Sequence, residues 1–163
     1  MIRVISRESG RDITPGVEVF ADGSCRIKTV EGDEYTTKLE RSTVRGLLSF
    51  LEREGLFSIS DESIERAIDR ELQPVRTELP GGGVSFTSRG RVFVTDSAHA
   101  RISARAGTNS VRISRYALES EIEHYRTVTE LRTVQRCIQR VYDVGLHGER
   151  SIDWQAVRRS NWY

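Results

Sequence analysis

The strongest constraint in this chain is a change of hydrophobic period. Through residues 2–39 the buried candidates fall on alternate positions: Ile2 and Val4, Val17 and Val19, Cys25, Ile27 and Thr29, then Tyr35, Thr37 and Leu39. Turn signals separate these runs at Pro15-Gly16, Ala21-Asp22-Gly23-Ser24 and Glu31-Gly32-Asp33. Alternation by two sends successive side chains to opposite faces of a strand, so this stretch predicts a four-strand antiparallel meander. The period then switches. Val44, Leu47, Leu48 and Leu51 recur at helical spacing behind Ser42, an N-cap candidate, and Gly55 stands where the helix would stop.

A second passage of the same kind follows. Ile64, Ala67, Ile68 and Leu72 mark a short helix after Ser60-Asp61, stopped by Pro74, and the stretch to Gly83 reads as a loop or linker. Beyond it, Val84 with Phe86, Val92 with Val94, Ala100 with Ile102 and Ala104, and Val111 with Ile113 read as strands, with Gly107-Thr108-Asn109 as the last turn. A short helix is expected over Leu118 to Tyr125. A Thr127-x-x-Glu130 capping box then opens a longer one, with Leu131, Val134, Ile138 and Val141 inward and Gly145 at its end. The fold class is therefore α+β: a mostly antiparallel sheet of about 6–8 strands with amphipathic helices on one face. We expect one domain over residues 1–146 and an aromatic tail over 147–163.

Sliding the chain on itself by 75 residues aligns Val17 with Val92, Val19 with Val94, Arg26 with Arg101, Ile27 with Ile102 and Gly32 with Gly107. Two duplicated strand-meander-plus-helix halves, 1–57 and 83–145, would give this pattern. So would any two valine-rich hairpins, because alternation by itself generates apolar matches.

A chain of 163 residues buries roughly 70% of its unfolded surface, enough for a core without metal or disulfide. Low Pro and moderate Gly exclude collagen-like and low-complexity classes. No apolar run approaches the ~18 residues that cross a bilayer, so a soluble, cytoplasmic protein without membrane contact is expected. Cys25 and Cys137 form no metal-ligand spacing and read as two free, buried thiols in a reducing compartment.

Overall charge is near neutral and conceals a split. Residues 1–88 carry twelve basic and sixteen acidic side chains, and residues 89–163 carry thirteen and eight. Of the 25 cations, 23 are Arg, a planar donor that pairs bidentately with carboxylate or phosphate. A GC-rich genome explains that bias as readily as an anionic partner does.

The catalytic candidates are thin. Glu121 and His124 lie at i, i+3 on one helix face, a metal-ligand spacing, but a metal site needs three or four convergent donors and only one such pair exists. Asp96 and His99 can meet across a turn and would make an acid–base pair if a nucleophile lay beside them. An Asp-Ser turn explains them more simply. Gly81-Gly82-Gly83 lacks the Lys-Ser/Thr of a phosphate loop and leads into a strand. No cofactor is implied, no metal, and no catalytic residue is assigned.

The outward face of the sheet is more informative. If Val17, Cys25, Ile27, Val92, Val94, Ile102 and Ile113 face the helices, then Arg26, Lys28, Lys38, Arg101, Arg105 and Arg112 emerge opposite, with Phe20 and Phe93 among them. Cations interleaved with aromatics can track phosphates and stack bases, and cations alone can hold an acidic protein surface. A solvated face with cross-strand pairs to Glu18 and Glu34 is the plainer reading. Both tryptophans lie in the tail. Trp154, Val157 and Trp162 offer apolar area that docks on the parent domain, on a second subunit or on a partner.

The Asp22-Gly23 hairpin, the helix ending near Phe57, Val94-Thr95-Asp96, the hairpin around Gly107 and the helix from Leu131 together resemble small bacterial domains of unknown function. That family shares the order hairpin, helix, Thr-Asp, hairpin, helix. The resemblance spans about residues 15–144 and implies the fold, with no catalytic residue to transfer.

The sequence thus points to a non-enzymatic module acting through a protein partner or as a homo-oligomer. Nucleic-acid or polyanion binding on the Arg face is the alternative, and a small enzyme using Asp96 and His99 is the third reading.

Overall fold

A computed structural model describes residues 1–7, 16–29, 31–80, 83–94 and 97–147. The predicted meander is present as β1 (Ile2–Arg7), β2 (Gly16–Val19), β3 (Ser24–Lys28) and β4 (Glu34–Lys38), each pairing antiparallel with the next. A second hairpin, β7 (His99–Ala106) and β8 (Asn109–Tyr116), joins it through β1. The result is a six-stranded antiparallel sheet in the order β4-β3-β2-β1-β7-β8. Between the two parts run α1 (Arg41–Arg53), a 3-10 turn (Leu56–Ser58), α2 (Asp61–Glu71) and a separate hairpin of β5 (Val75–Glu78) with β6 (Val84–Thr87). The short helix α3 (Leu118–His124) and the long helix α4 (Thr129–His147) close the described chain.

Register explains the core. Val4 lies opposite Val17 on one side and Ile102 on the other, Val17 opposite Ile27, and Ile102 opposite Ile113. All of these side chains therefore share one face, and all are buried together with Leu47, Leu51, Leu56, Ile64, Ile68, Leu131 and Val141 from the helical layer. Each fully buried aliphatic side chain contributes about 1.5–3 kcal/mol. Helix α4 lies across β1, β2 and β3 and packs against α1 and α2.

Local signals behave as their chemistry requires, with informative exceptions. Gly55 takes φ 77° directly after α1, and Ser60 caps α2 in a reciprocal box with Ser63. Helix α1, however, is preceded by Glu40, and the Ser42 hydroxyl donates to the Glu40 carboxylate. In place of the Thr127–Glu130 box, the amide and the hydroxyl of Thr127 donate to Glu71, and the Glu130 carboxylate accepts from the Thr129 hydroxyl. Gly145 does not end α4. It sits buried inside the helix, and a Cβ there would come within 2.6 Å of Val17 Cγ1, so the missing side chain lets α4 approach the sheet.

Two strand assignments change. The stretch read as linker contains β5, and Val84 and Phe86 lie in β6 beside it, outside the main sheet. Val92 and Val94 are not in a strand. The Val92 amide donates to the Tyr125 hydroxyl at 2.9 Å, while Arg91 bridges Glu65 and Asp69 and Arg89 reaches Glu71, so this segment is strapped across α2 and α3. The first half supplies four strands and then a helix; the second supplies three strands, of which β6 lies outside the main sheet, and then two helices. A duplication of the whole unit is not confirmed by this topology.

Candidate functional site

The face of the sheet turned away from the helices carries the candidate residues, and register arranges them in rows. One row runs Thr36, Arg26, Glu18, Arg3, Ser103, Arg112, and the next runs Glu34, Lys28, Gly16, Ile5, Arg101, Ser114. None of these side chains is buried. At the β2–β4 end the cations have partners: Arg3 meets Glu18 at 2.8 Å, and Arg26 meets Glu34 at 3.0 Å and Glu18 at 3.6 Å. Lys38 reaches Asp22 at 3.1 Å. Hydrogen bonds from Ser24, then the Lys38 ammonium, hold the Asp22 carboxyl well below its ordinary range. Arg3, Gly16, Glu18, Arg26, Lys28 and Glu34 line a shallow depression of about 220 Å³ that carries its own compensating charge.

The β7–β8 end differs. Arg101 lies opposite Ser114, Arg105 opposite Ser110 and Arg112 opposite Ser103. Arg112 thus stands on the neighbouring strand midway between Arg101 and Arg105, each a diagonal neighbour at roughly 7–8 Å between backbones. By register the three arginine positions form a triangle, with Ser103, Ser110 and Ser114 as their cross-strand partners. Among the described residues none of the three meets a carboxylate, and Arg105 donates to the Gly107 carbonyl. Lys28 also lacks a carboxylate within ion-pair distance among the described residues.

Arg115, one position past the outward Ser114, points inward and is 8% exposed. It pairs with Glu121 through two nitrogens and with Glu65 at 2.7 Å. Burial works to lower the Arg115 guanidinium, and the two carboxylates outweigh it and hold it above its ordinary value. Burial likewise works to raise Glu65, but hydrogen bonds from Arg115 and Arg91 hold it down.

The i, i+3 spacing of Glu121 and His124 is used otherwise. Glu121 is taken by Arg115, His124 Nε2 lies 2.9 Å from the Gly90 carbonyl, and no group of three metal-ligating side chains occurs among the described residues. The His99 ring lies tilted against Tyr116, 4.9 Å between centroids, and the Tyr116 hydroxyl accepts from the Ser97 amide. Asp96 lies outside the described residues, as do Trp154, Val157 and Trp162. The placement of Phe93 is corrected: it is 91% exposed but sits in the coil before β7, off the sheet, because the strand expected around it is replaced by the strap. Phe20 sits at the β2–β3 turn.

Both cysteines are free and buried, in β3 and α4, and burial raises their thiols to about 11 and about 12. Such thiols are poor nucleophiles. On the helical side, Phe50, Glu119, Gln135, Arg136, Gln139, Arg140 and Asp143 line an open groove of about 750 Å³. Arg53 and Arg140 lie over the Phe50 ring at 5.7 and 5.9 Å. The sequence reading missed this groove. Its one legible signal was the Phe50-x-x-Arg53 spacing, which puts a cation beside an aromatic ring on a helix.

The chain matches no family model, no curated protein and no solved structure. No described helix is long and apolar enough to cross a membrane.

Proposed function

We propose that the protein is a non-enzymatic binding module that holds an acidic protein partner on the β7–β8 end of its outer sheet face. The observation that carries this reading is the triangle of Arg101, Arg105 and Arg112, exposed, free of carboxylates among the described residues and paired across the strands with serines. Desolvating a guanidinium that already has a carboxylate gains little, whereas an unpaired one gains a charge-assisted, often bidentate hydrogen bond. Lys28 stands apart on β3, with Gly16 and Ile5 between it and Arg101, and Arg26 is committed to Glu18 and Glu34.

Nucleic acid is the second reading. Phe93 and Phe20 are off the sheet, which removes two of the stacking rings this reading expected, and His99 with Tyr116, on the outward parity of β7 and β8 beside Arg101, remains as one aromatic pair. Two buried free thiols suit a reducing, cytoplasmic location. The resemblance to small bacterial domains of unknown function brings no ligand with it.

The test is fluorescence anisotropy with a labelled glutamate-rich peptide and a labelled single-stranded oligonucleotide of equal charge, at low and high salt. We expect the peptide to bind at least as tightly as the oligonucleotide and the double variant R101E/R112E to lose about tenfold or more. Peptide binding unchanged in that variant would overturn the reading. Much tighter oligonucleotide binding with a steep salt dependence would replace it by nucleic-acid recognition.

A further inference from the structure

The hairpin β5–β6 stands apart from the core. Its strands pair only with each other, and every β5 side chain is exposed. It also concentrates the exposed apolar surface: Phe86 is 67% and Val75 61% exposed, with Leu79 and Val84 close behind. An isolated two-stranded hairpin is marginal in water, and a strand edge with free amides and carbonyls is a template for another strand.

The hydrogen-bond phase of that edge is readable. The Leu79 amide donates to the Gly83 carbonyl at 2.7 Å, and the paired residues run Glu78–Val84, Thr77–Ser85, Arg76–Phe86, Val75–Thr87. Bonded and non-bonded pairs alternate in an antiparallel ladder. Val75, Thr77 and Leu79 therefore direct their backbone groups toward β6, and Arg76 and Glu78 direct theirs to the free edge.

We propose that this edge is a homodimer interface in which β5 pairs antiparallel with β5 of a second copy about a twofold axis through Thr77. That register sets Arg76 against Glu78 of the other copy twice over, Val75 against Leu79 twice over, and Thr77 against Thr77. The bonded pairs it requires are those of Arg76 and Glu78, whose backbone groups already face outward. The neighbouring registers fail. An axis through Arg76 opposes two arginines and sets Glu78 against Pro74, which has no amide hydrogen, and an axis through Glu78 opposes two carboxylates and sets Arg76 against Pro80. The product is a four-stranded sheet, β6-β5 of one copy joined to β5-β6 of the other. On one of its faces Phe86, Arg76, then Glu78 and Val84 of the second copy form a row, repeated by symmetry. The Arg76–Glu78 contact within one strand, 3.5 Å and fully in solvent, becomes part of a four-charge cluster.

The experiment is sedimentation velocity of the full chain across a concentration series, with circular dichroism to show that each variant folds. The wild type should dimerise in a concentration-dependent way. R76E and E78R each put like charges face to face and should weaken the dimer by tenfold or more. An equimolar mixture of R76E with E78R should recover it as a heterodimer, as should the double variant R76E/E78R. E78P removes an outward amide while leaving the hydrogen bonds of the hairpin intact, and should also be monomeric. A wild type monomeric at every concentration, a dimer indifferent to both reversals, or a mixture that fails to recover would each overturn the proposal.

Discussion

The two ends of the outer sheet face belong to one sheet and carry similar numbers of cations, yet they present different chemistry. At the β2–β4 end the carboxylates of Glu18, Glu34 and Asp22 lie on or beside the strands, and the cations Arg3, Arg26 and Lys38 spend themselves on them. Strands β7 and β8 contain Arg101, Arg105, Arg112 and Arg115 and no acid at all. Acids that serve this end sit on α2 and α3, behind the sheet, where of these four arginines they reach only the inward Arg115. Where a chain keeps its carboxylates thus decides which of its arginines are structural and which remain free to bind.

The largest expected effect breaks the comparison at Arg115. Arg115→Ala strands Glu121 in a nearly closed site and should cost about 3–5 kcal/mol in urea unfolding, whereas Arg112→Ala should stay within about 0.5 kcal/mol. Equal costs would mean that the inward and outward arginines do the same work. Next in size is Gly145→Ala, which drives a methyl group against Val17 at the paired end and should cost about 1–3 kcal/mol, measured as a fall in thermal midpoint.

A pH series tests the acids on α2 and α3. Burial works to raise Glu65 and Glu71, but hydrogen bonds from Arg115 and Arg91 and from Thr127 outweigh it, so both folded values lie below their unfolded ones. Their contribution is complete above the ordinary glutamate range, about pH 4.3, and is lost as pH falls through the folded values. Glu119, raised by burial and then by Glu123, has the opposite sign: its contribution is present at low pH and lost as pH rises. Stability should therefore fall below about pH 4.3, and Glu65→Gln should flatten that fall. An unchanged slope would show that Glu65 is not linked to folding. The smallest effect is Glu18→Gln, which frees Arg3 and Arg26 at a cost within about 1 kcal/mol. It should raise acidic-peptide affinity a few-fold by making the paired end resemble the other.

Much of this was legible because alternation gives both faces at once. The parity that buries Ile102 and Ile113 turns Arg101 and Arg112 outward, and the same parity puts Glu18 and Glu34 beside Arg26. Arg115 shares the parity of Val111 and Ile113, but its partners come from helices whose packing no period reveals. Phe93 was misplaced for a related reason: Val92 and Val94 alternate like a strand, yet the Val92 amide donates to Tyr125 and the Arg91 side chain to Glu65 and Asp69, which holds the segment away from the sheet. Strand β5 escaped because Val-Arg-Thr-Glu has little apolar alternation and lies beside a glycine run that reads as linker.

The strand order has a consequence for the time course of folding. The first strand occupies the middle of the sheet, so on the ribosome it waits with one edge open while nearly a hundred residues are made before β7 arrives. The meander and the β7–β8 hairpin are each local and quick to form, but joining them closes a long loop, an entropic cost of about 4 kcal/mol. The β1–β7 seam should therefore set the refolding rate: changes at Val4 or Ile102 should slow refolding, whereas changes at Tyr35 on the far edge should mainly hasten unfolding, as stopped-flow chevrons would show. Until that seam closes, the nascent protein exposes a raw β edge, and that interval is when it most needs a chaperone.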